Sequence, residues 1–228
     1  MTGHPLDRPV WSCVTGPLAH MAWRNGGAVR IDPAYGPFAA ARDTTDASQA
    51  DLAALLPEPD VAIAVVEPDP WPIPPSLRLD RSGELLQMVA ERPVHAGGDD
   101  PRVELLDDGD ATEMAALALA TEPGPWAPLT HRYGAFFGIR VDGRLAAMAG
   151  ERMRAGGFAE VSAVCTWPEF RGQGMAAALI RRVIRGFVSR GETPFLHSYS
   201  DNAGAIRLYE TLGFRARRTM ALTVLVRA

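Results

Sequence analysis

The chain has 228 residues, of which 47% are hydrophobic and 22% are charged, and its net charge is −4 at pH 7. A chain of this length can bury a sizeable core in one large domain or in two smaller ones, and this composition excludes a disordered or fibrous protein. Because the charge balance is acidic, we expect no general electrostatic attachment to nucleic acid.

The two cysteines, Cys13 and Cys165, are too few and too far apart to suggest a disulfide framework or a metal cluster. We therefore expect reduced thiols and no metal site. The N-terminus lacks the basic start and apolar core of a signal peptide, and no apolar run approaches the roughly 18 residues of a membrane span. These features predict a cytoplasmic protein without a membrane partner. Whether it is a monomer or a homodimer stays open at this point.

The first half is predicted to be a small mixed α/β unit. Its patterns indicate a helix over 9–22, strands over 28–31, 38–41, 61–66 and 85–89, a helical turn over 51–56 and a Pro-rich stretch over 67–76. It carries no chemical motif. The Gly- and Asp-rich segment 95–101 is typical of a linker, so we predict one domain over 1–98 and a second over 99–228.

The second half is more regular. Strands are predicted over 102–106, 135–141, 144–154, 158–165 and 195–199, with a final strand or strand pair over 214–227. Helices are predicted over 110–120, 174–190 and 202–212, and a Pro-rich loop over 121–129. The Asp142-Gly143 pair between two apolar runs is a strong hairpin signal. This order predicts an α+β fold with a mixed, mostly antiparallel sheet flanked by helices.

The most informative stretch lies between a strand and the start of a long helix. It reads Arg171-Gly172-Gln173-Gly174-Met175-Ala176. The first turn of a helix offers unpaired N–H groups and a partial positive charge, and glycines let the backbone approach a phosphate closely. A plain glycine turn beside a solvated arginine face is the alternative. A dinucleotide fingerprint fits poorly, because the glycines do not directly follow their strand.

A second dense stretch runs from Leu196 to Phe214 and predicts a strand, a polar turn and a helix that ends at Gly213. Asn202 lies near the start of this helix, where it is either a helix cap or a ligand contact. Tyr209 follows two turns later, as either a core aromatic residue or a phenol facing a site.

Together, residues 160–179 and 202–214 resemble two signatures of the GNAT superfamily of acyl-CoA-dependent N-acyltransferases. The first looks like the family's central strand, its Arg-x-x-Gly-x-Ala pyrophosphate loop and the helix that follows. The resemblance covers roughly residues 101–228. The run Val-Cys-Thr-x-Pro, with an α/β half in front, is most similar to the glycine N-acyltransferase-like subgroup. In that subgroup a degenerate GNAT-like half precedes the catalytic one.

This resemblance implies a GNAT fold and acetyl-CoA, or another acyl-CoA, as co-substrate. It implies that the backbone of Val164, Cys165 and Thr166 pairs with the pantetheine arm as an added strand would. The glycine loop, comprising Arg171, Gly172, Gln173, Gly174, Met175 and Ala176, would hold the pyrophosphate. Asn202 would contact the pantetheine, and Tyr209 would lie near the sulfur as general acid for the leaving thiolate.

The acceptor implied is a primary amine of a small molecule or an amino acid, which attacks the bound thioester directly. Glu160, directly or through water, could take the proton of the amine, although a structural role is an equal alternative. His197 and His131 are further candidates for this base. Two other functional classes stay open. A non-catalytic CoA or acyl-CoA sensor would keep the loop without needing Tyr209, and in a peptide-binding scaffold the glycines would form only a turn.

Overall fold

The computed structural model describes residues 3–56, 61–94 and 100–228. The α-helices of these residues are α1 (Pro9–Val14), α2 (Asp46–Ala54), α3 (Ala111–Thr121), α4 (Met175–Ser189) and α5 (Ala203–Thr211). The strands are β1 (Ala22–Asn25), β2 (Ala28–Ile31), β3 (Ala39–Ala41), β4 (Ile63–Glu67), β5 (Leu77–Val89), β6 (Val103–Leu106), β7 (Phe136–Val141), β8 (Arg144–Ala155), β9 (Phe158–Thr166), β10 (Thr193–Tyr199) and β11 (Arg215–Arg227).

Eight of these strands form one sheet in the order β4-β11-β5-β10-β9-β8-β7-β6. Within this sheet only β9 and β10 pair in parallel, and every other pair is antiparallel. Strands β1, β2 and β3 form a separate antiparallel sheet, and a parallel bridge between Phe38 and Ala64 connects this segment to β4. The predicted α+β fold with a mixed, mostly antiparallel sheet is confirmed.

Helices cover both faces of the large sheet. On β10, Leu196 packs in the same cluster as α4 and α5, whereas its neighbour Phe195 packs in the cluster of α1. Successive strand residues face opposite sides, so α1 lies across the sheet from α4 and α5. Helix α3 also lies opposite α4, because Met148 on β8 faces it while the adjacent Ala147 and Ala149 face α4.

The first half contributes directly to the large sheet, since β5 lies between β11 and β10. The predicted division near residue 98 stays a prediction, and the expected linker falls mostly on residues 95–99, outside the described part. The helix predicted over 9–22 is wrong in extent. It ends at Val14, and β1 begins at Ala22, because Gly16 and Pro17 do not continue a helix.

The elements of the second half agree with their predicted bounds to within a few residues. Asp142 and Gly143 have φ values of 49° and 80°, so the expected hairpin turn is present. In the first half, β5 is eight residues longer than the predicted 85–89, because it already starts at Leu77. Among the described residues, no helix is both long and apolar enough to pass through a membrane.

Candidate functional site

The central strands form a fork. β9 and β10 pair only between residues 158–160 and 193–195. Beyond this point β9 continues to Thr166 along β8, and β10 continues to Tyr199 along β5. Within the described chain, the edge of β9 from Val161 to Thr166 that faces away from β8 therefore has no strand partner. Unpaired backbone groups on such an edge are available to an extended ligand.

A β-bulge interrupts β9 inside this free segment. Met148 pairs with Cys165 and Gly150 pairs with Ser162, so Ala163 and Val164 both lie opposite one residue of β8. Ala163 has a φ of 51°, which is uncommon for a residue with a side chain. Bulges occur frequently beside active sites, where they redirect a strand. Here the strained residue, Ala163, lies on the free edge of the fork.

The glycine loop leads into α4 as predicted. Gly172 and Gly174 have φ values of 78° and 74°, and a Cβ at either position would meet no atom within 4 Å. No side chain caps the N-terminus of α4, whose first-turn N–H groups have no partner inside the helix. Arg171 is exposed, and its Nε donates to the carbonyl of Thr166 at 3.3 Å. The loop therefore combines open backbone, helix N–H groups and a nearby arginine, which suits a pyrophosphate.

Asn202 caps α5, because its side-chain oxygen accepts a hydrogen bond from the N–H of Ala205 at 3.1 Å. The structural alternative for Asn202 is thus present, and its ligand contact stays a prediction. Tyr209 is 9% exposed and stacks edge-on against Phe214. No hydrogen bond of its hydroxyl occurs within the described chain. Burial raises the pKa of Tyr209 to about 12, so the phenol stays protonated and able to donate.

Glu160 is fully buried, and both oxygens of its carboxylate have hydrogen-bond partners. Arg152 donates to it from Nε at 2.8 Å and from Nη2 at 2.7 Å. His197 Nδ1 lies 2.7 Å from its Oε1. Burial alone would raise the pKa of Glu160. The charge and hydrogen bonds of Arg152, together with the hydrogen bond from His197, instead lower this pKa to about 2. This geometry favours a structural role, and direct proton transfer from the acceptor stays an untested and less favoured prediction.

The tautomer of His197 follows from its neighbours. Arg217 can only donate, so the Gln87 atom that it contacts at 2.8 Å is the amide oxygen. The amide nitrogen of Gln87 donates to the carbonyl of Leu6 at 2.9 Å and lies 3.1 Å from Nε2 of His197. Because an amide nitrogen is a donor, Nε2 accepts and Nδ1 carries the proton that binds Glu160. Both ring nitrogens of His197 therefore have a hydrogen-bond partner.

His131 lies elsewhere, beside an open cleft of about 580 Å³ that Asp108 and Arg132 also line. Its Nε2 lies 2.9 Å from Asp108, and its Nδ1 is buried without a partner among the described residues. Neither of its ring nitrogens forms a hydrogen bond with a described residue of the fork. Cys165 is buried on β9, and burial raises the pKa of its thiol to about 12, which disfavours a nucleophilic role. The described residues contain no group of ligands for a metal ion.

Residues that the sequence did not single out complete the surroundings of Glu160. They are Arg152 on β8, Gln87 on β5 and Arg217 at a bulge of β11. None belongs to a motif, and their proximity depends on the order of strands in the sheet. The pattern of apolar and polar residues along their strands did not indicate that these three residues lie near Glu160.

Residues 136–222 match the family described as FR47-like protein. A crystal structure from Novosphingobium aromaticivorans DSM 12444, assigned as an acetyltransferase from the GNAT family, is 57% identical to this chain. The similarity covers 99% of this chain and 100% of that one, with a TM-score of 0.94. A GCN5-related N-acetyltransferase from Kribbella flavida is 18% identical over 96% of this chain and 93% of that one, with a TM-score of 0.62, and supports the fold alone. No curated protein matches the chain.

Proposed function

Because the chain belongs to the GNAT family of acetyltransferases, we propose that it transfers an acetyl group from acetyl-CoA, or an acyl group from another acyl-CoA, to a primary amine. The proposed acceptor is a small molecule or an amino acid. The observation that carries this proposal is the fork beside the open glycine loop. The free edge of β9 leads from the fork to the uncapped start of α4, with the bulge at Ala163 between them.

The residues present fit an acyl-CoA along this path. The backbone of Val164, Cys165 and Thr166 lies on the free edge, where it would pair with the extended pantetheine arm. The open positions of Gly172 and Gly174 leave room for the pyrophosphate, and the first turn of α4 supplies N–H donors and the positive end of the helix dipole. Gln173, Met175 and Ala176 complete this loop, and Arg171 adds a positive charge.

In the transfer step, the neutral amine nitrogen attacks the thioester carbon, the new C–N bond forms and the C–S bond breaks. The sulfur leaves with the electron pair, and Tyr209, which is protonated at neutral pH, is the proposed donor to it. The amine loses its proton to solvent, because Glu160 is held by Arg152 and His197. No covalent enzyme intermediate is needed.

The finer resemblance to the glycine N-acyltransferase-like subgroup is also part of this proposal. It is supported by the first half, which adds β4 and β5 to the large sheet and places α1 on the face opposite α4. We interpret residues 1–98 as a degenerate GNAT-like half that completes the core of the catalytic half, residues 99–228. The loop 127–133 rests on this first half, since Leu129 donates to the carbonyl of Ala34 and Thr130 to that of Tyr35.

The test combines binding with turnover. The purified protein is titrated with acetyl-CoA by calorimetry and then incubated with acetyl-CoA and a panel of primary amines and amino acids. Thiol release is followed, and the acylated product is identified by mass spectrometry. We expect saturable binding and thiol release that depends on the acceptor. A folded protein that binds no acyl-CoA contradicts the proposal, and binding without transfer to any acceptor would favour the sensor.

A further inference from the structure

A continuous chain of hydrogen-bonded side chains crosses five adjacent strands of the sheet. In order, its members are Arg152 on β8, Glu160 on β9, His197 on β10, Gln87 on β5 and Arg217 on β11. Arg217 Nη2 then donates to Asp7, in the short 3-10 turn before α1, at 2.6 Å. The chain therefore connects the N-terminal segment to the centre of the catalytic half.

This chain crosses the sheet at the base of the fork. Glu160 and Phe195 are the last residues at which β9 and β10 pair. His197 lies two residues beyond Phe195, so its side chain projects on the same face and meets Glu160 just where the backbone pairing ends. The 2.7 Å contact is thus the outermost tie between the two strands on this face before they separate.

The tie is rigid because each of its members is held twice. Arg152 donates to the two carboxylate oxygens of Glu160, from Nε to Oε2 and from Nη2 to Oε1. The ring of His197 is held at Nδ1 by Glu160 and at Nε2 by Gln87, and Gln87 is fixed by Leu6 and Arg217. The side chain of His197 is 5% exposed, so it has little access to substrate.

We propose that His197 is a positioning residue for acyl transfer, which ties β10 to Glu160 on β9 and so fixes the opening of the fork that receives the thioester. This inference rests on the proposed function. Gln87 supports it by holding the ring in the tautomer that donates to Glu160. His197 itself transfers no proton to the substrate.

The test compares two substitutions of one residue. His197→Phe keeps a planar ring and removes both ring nitrogens. His197→Asn places an amide nitrogen near the position of Nδ1 and so keeps the donor to Glu160. Displacements of about 1 Å at a reacting centre can lower rates by about 100-fold, so we expect a kcat at least about tenfold lower for His197→Phe. We expect His197→Asn to recover most of it.

The affinity for CoA should separate from turnover. The proposed pyrophosphate loop at the start of α4 shares no hydrogen bond with the tie among the described residues, so both variants should bind CoA within about threefold of the wild type. Leu225→Ala is the control for stability alone. Leu225 is fully buried in another cluster at the far end of β11, so its truncation should lower the melting temperature and leave kcat unchanged.

A readout that needs no activity is the ¹⁵N NMR spectrum of the labelled ring at neutral pH. We expect a protonated Nδ1 and an unprotonated Nε2 in the wild type, because the carboxylate of Glu160 can only accept at Nδ1 and the amide nitrogen of Gln87 faces Nε2. An unprotonated Nδ1 in the wild type would overturn the inference. So would a His197→Phe variant that turns over normally beside an active wild type. An inactive wild type with every acceptor would instead mark the failure of the proposed function.

Discussion

Arg152 donates to both carboxylate oxygens of Glu160, at 2.8 and 2.7 Å, in a part of the sheet where Glu160 has no exposed surface. Removing one partner of a buried ion pair leaves the other charge uncompensated, which typically costs about 3–5 kcal/mol. We therefore expect Glu160→Gln to lower the free energy of unfolding by about this amount in urea denaturation. A loss below about 1 kcal/mol would show that the pair contributes little.

The same pair predicts a dependence of stability on pH. The pKa of Glu160 is lowered from 4.5 to about 2 in the folded state. Its stabilising contribution is complete above the unfolded pKa and is lost as the pH falls from about 4.5 towards 2. The difference in unfolding free energy between wild type and Glu160→Gln should therefore shrink across this window. A constant difference would contradict the lowered pKa.

Gly174→Glu should abolish CoA binding, because it places a side chain and a negative charge at the start of α4, where the pyrophosphate is proposed to lie. Calorimetry of the folded variant measures the effect. Gly191→Glu is the matched control, since Gly191 follows the other end of α4, has a φ of 72° and also has open space at its Cβ. Unchanged CoA affinity in Gly174→Glu would remove the loop from the site.

Tyr209→Phe keeps the ring that packs against Phe214 and removes only the hydroxyl. General acid catalysis contributes roughly 10²–10⁴-fold, so we expect kcat to fall by at least about tenfold while CoA affinity changes little. Steady-state kinetics with a good acceptor and calorimetry with CoA separate the two effects. Normal turnover would assign Tyr209 to packing, with the thiolate leaving unaided or protonated by water.

One CoA should bind per chain. The Arg24-Asn25-Gly26-Gly27 segment only superficially resembles the glycine loop, and here the carboxylate of Asp51 already accepts from the N–H of Gly27 at 2.6 Å. A negative side chain at this position would repel a phosphate. Calorimetric titration should therefore saturate at one equivalent. Saturation at two equivalents would show that the first half also binds CoA.

The sequence by itself determined the features that depend on neighbouring residues. The glycines before α4 and the helical spacing of Met175, Leu179, Val183 and Phe187 predicted the loop and the helix, and all four of these side chains are buried. The Asp142-Gly143 turn and the cap at Asn202 followed from local backbone chemistry in the same way. The order of elements in the second half was predictable for this reason.

Only the tertiary structure decided the partners of Glu160. His197 is 37 positions away from it, and Gln87 lies 110 positions from His197. Their contact requires β5 to enter the sheet between β11 and β10. β5 was recognised only in part because residues 78–82 are exposed and, apart from Leu79, polar. Alternation along one strand specifies which side chains share a face, but not which strand lies beside it. The physical reason is that strand order results from packing the whole sheet.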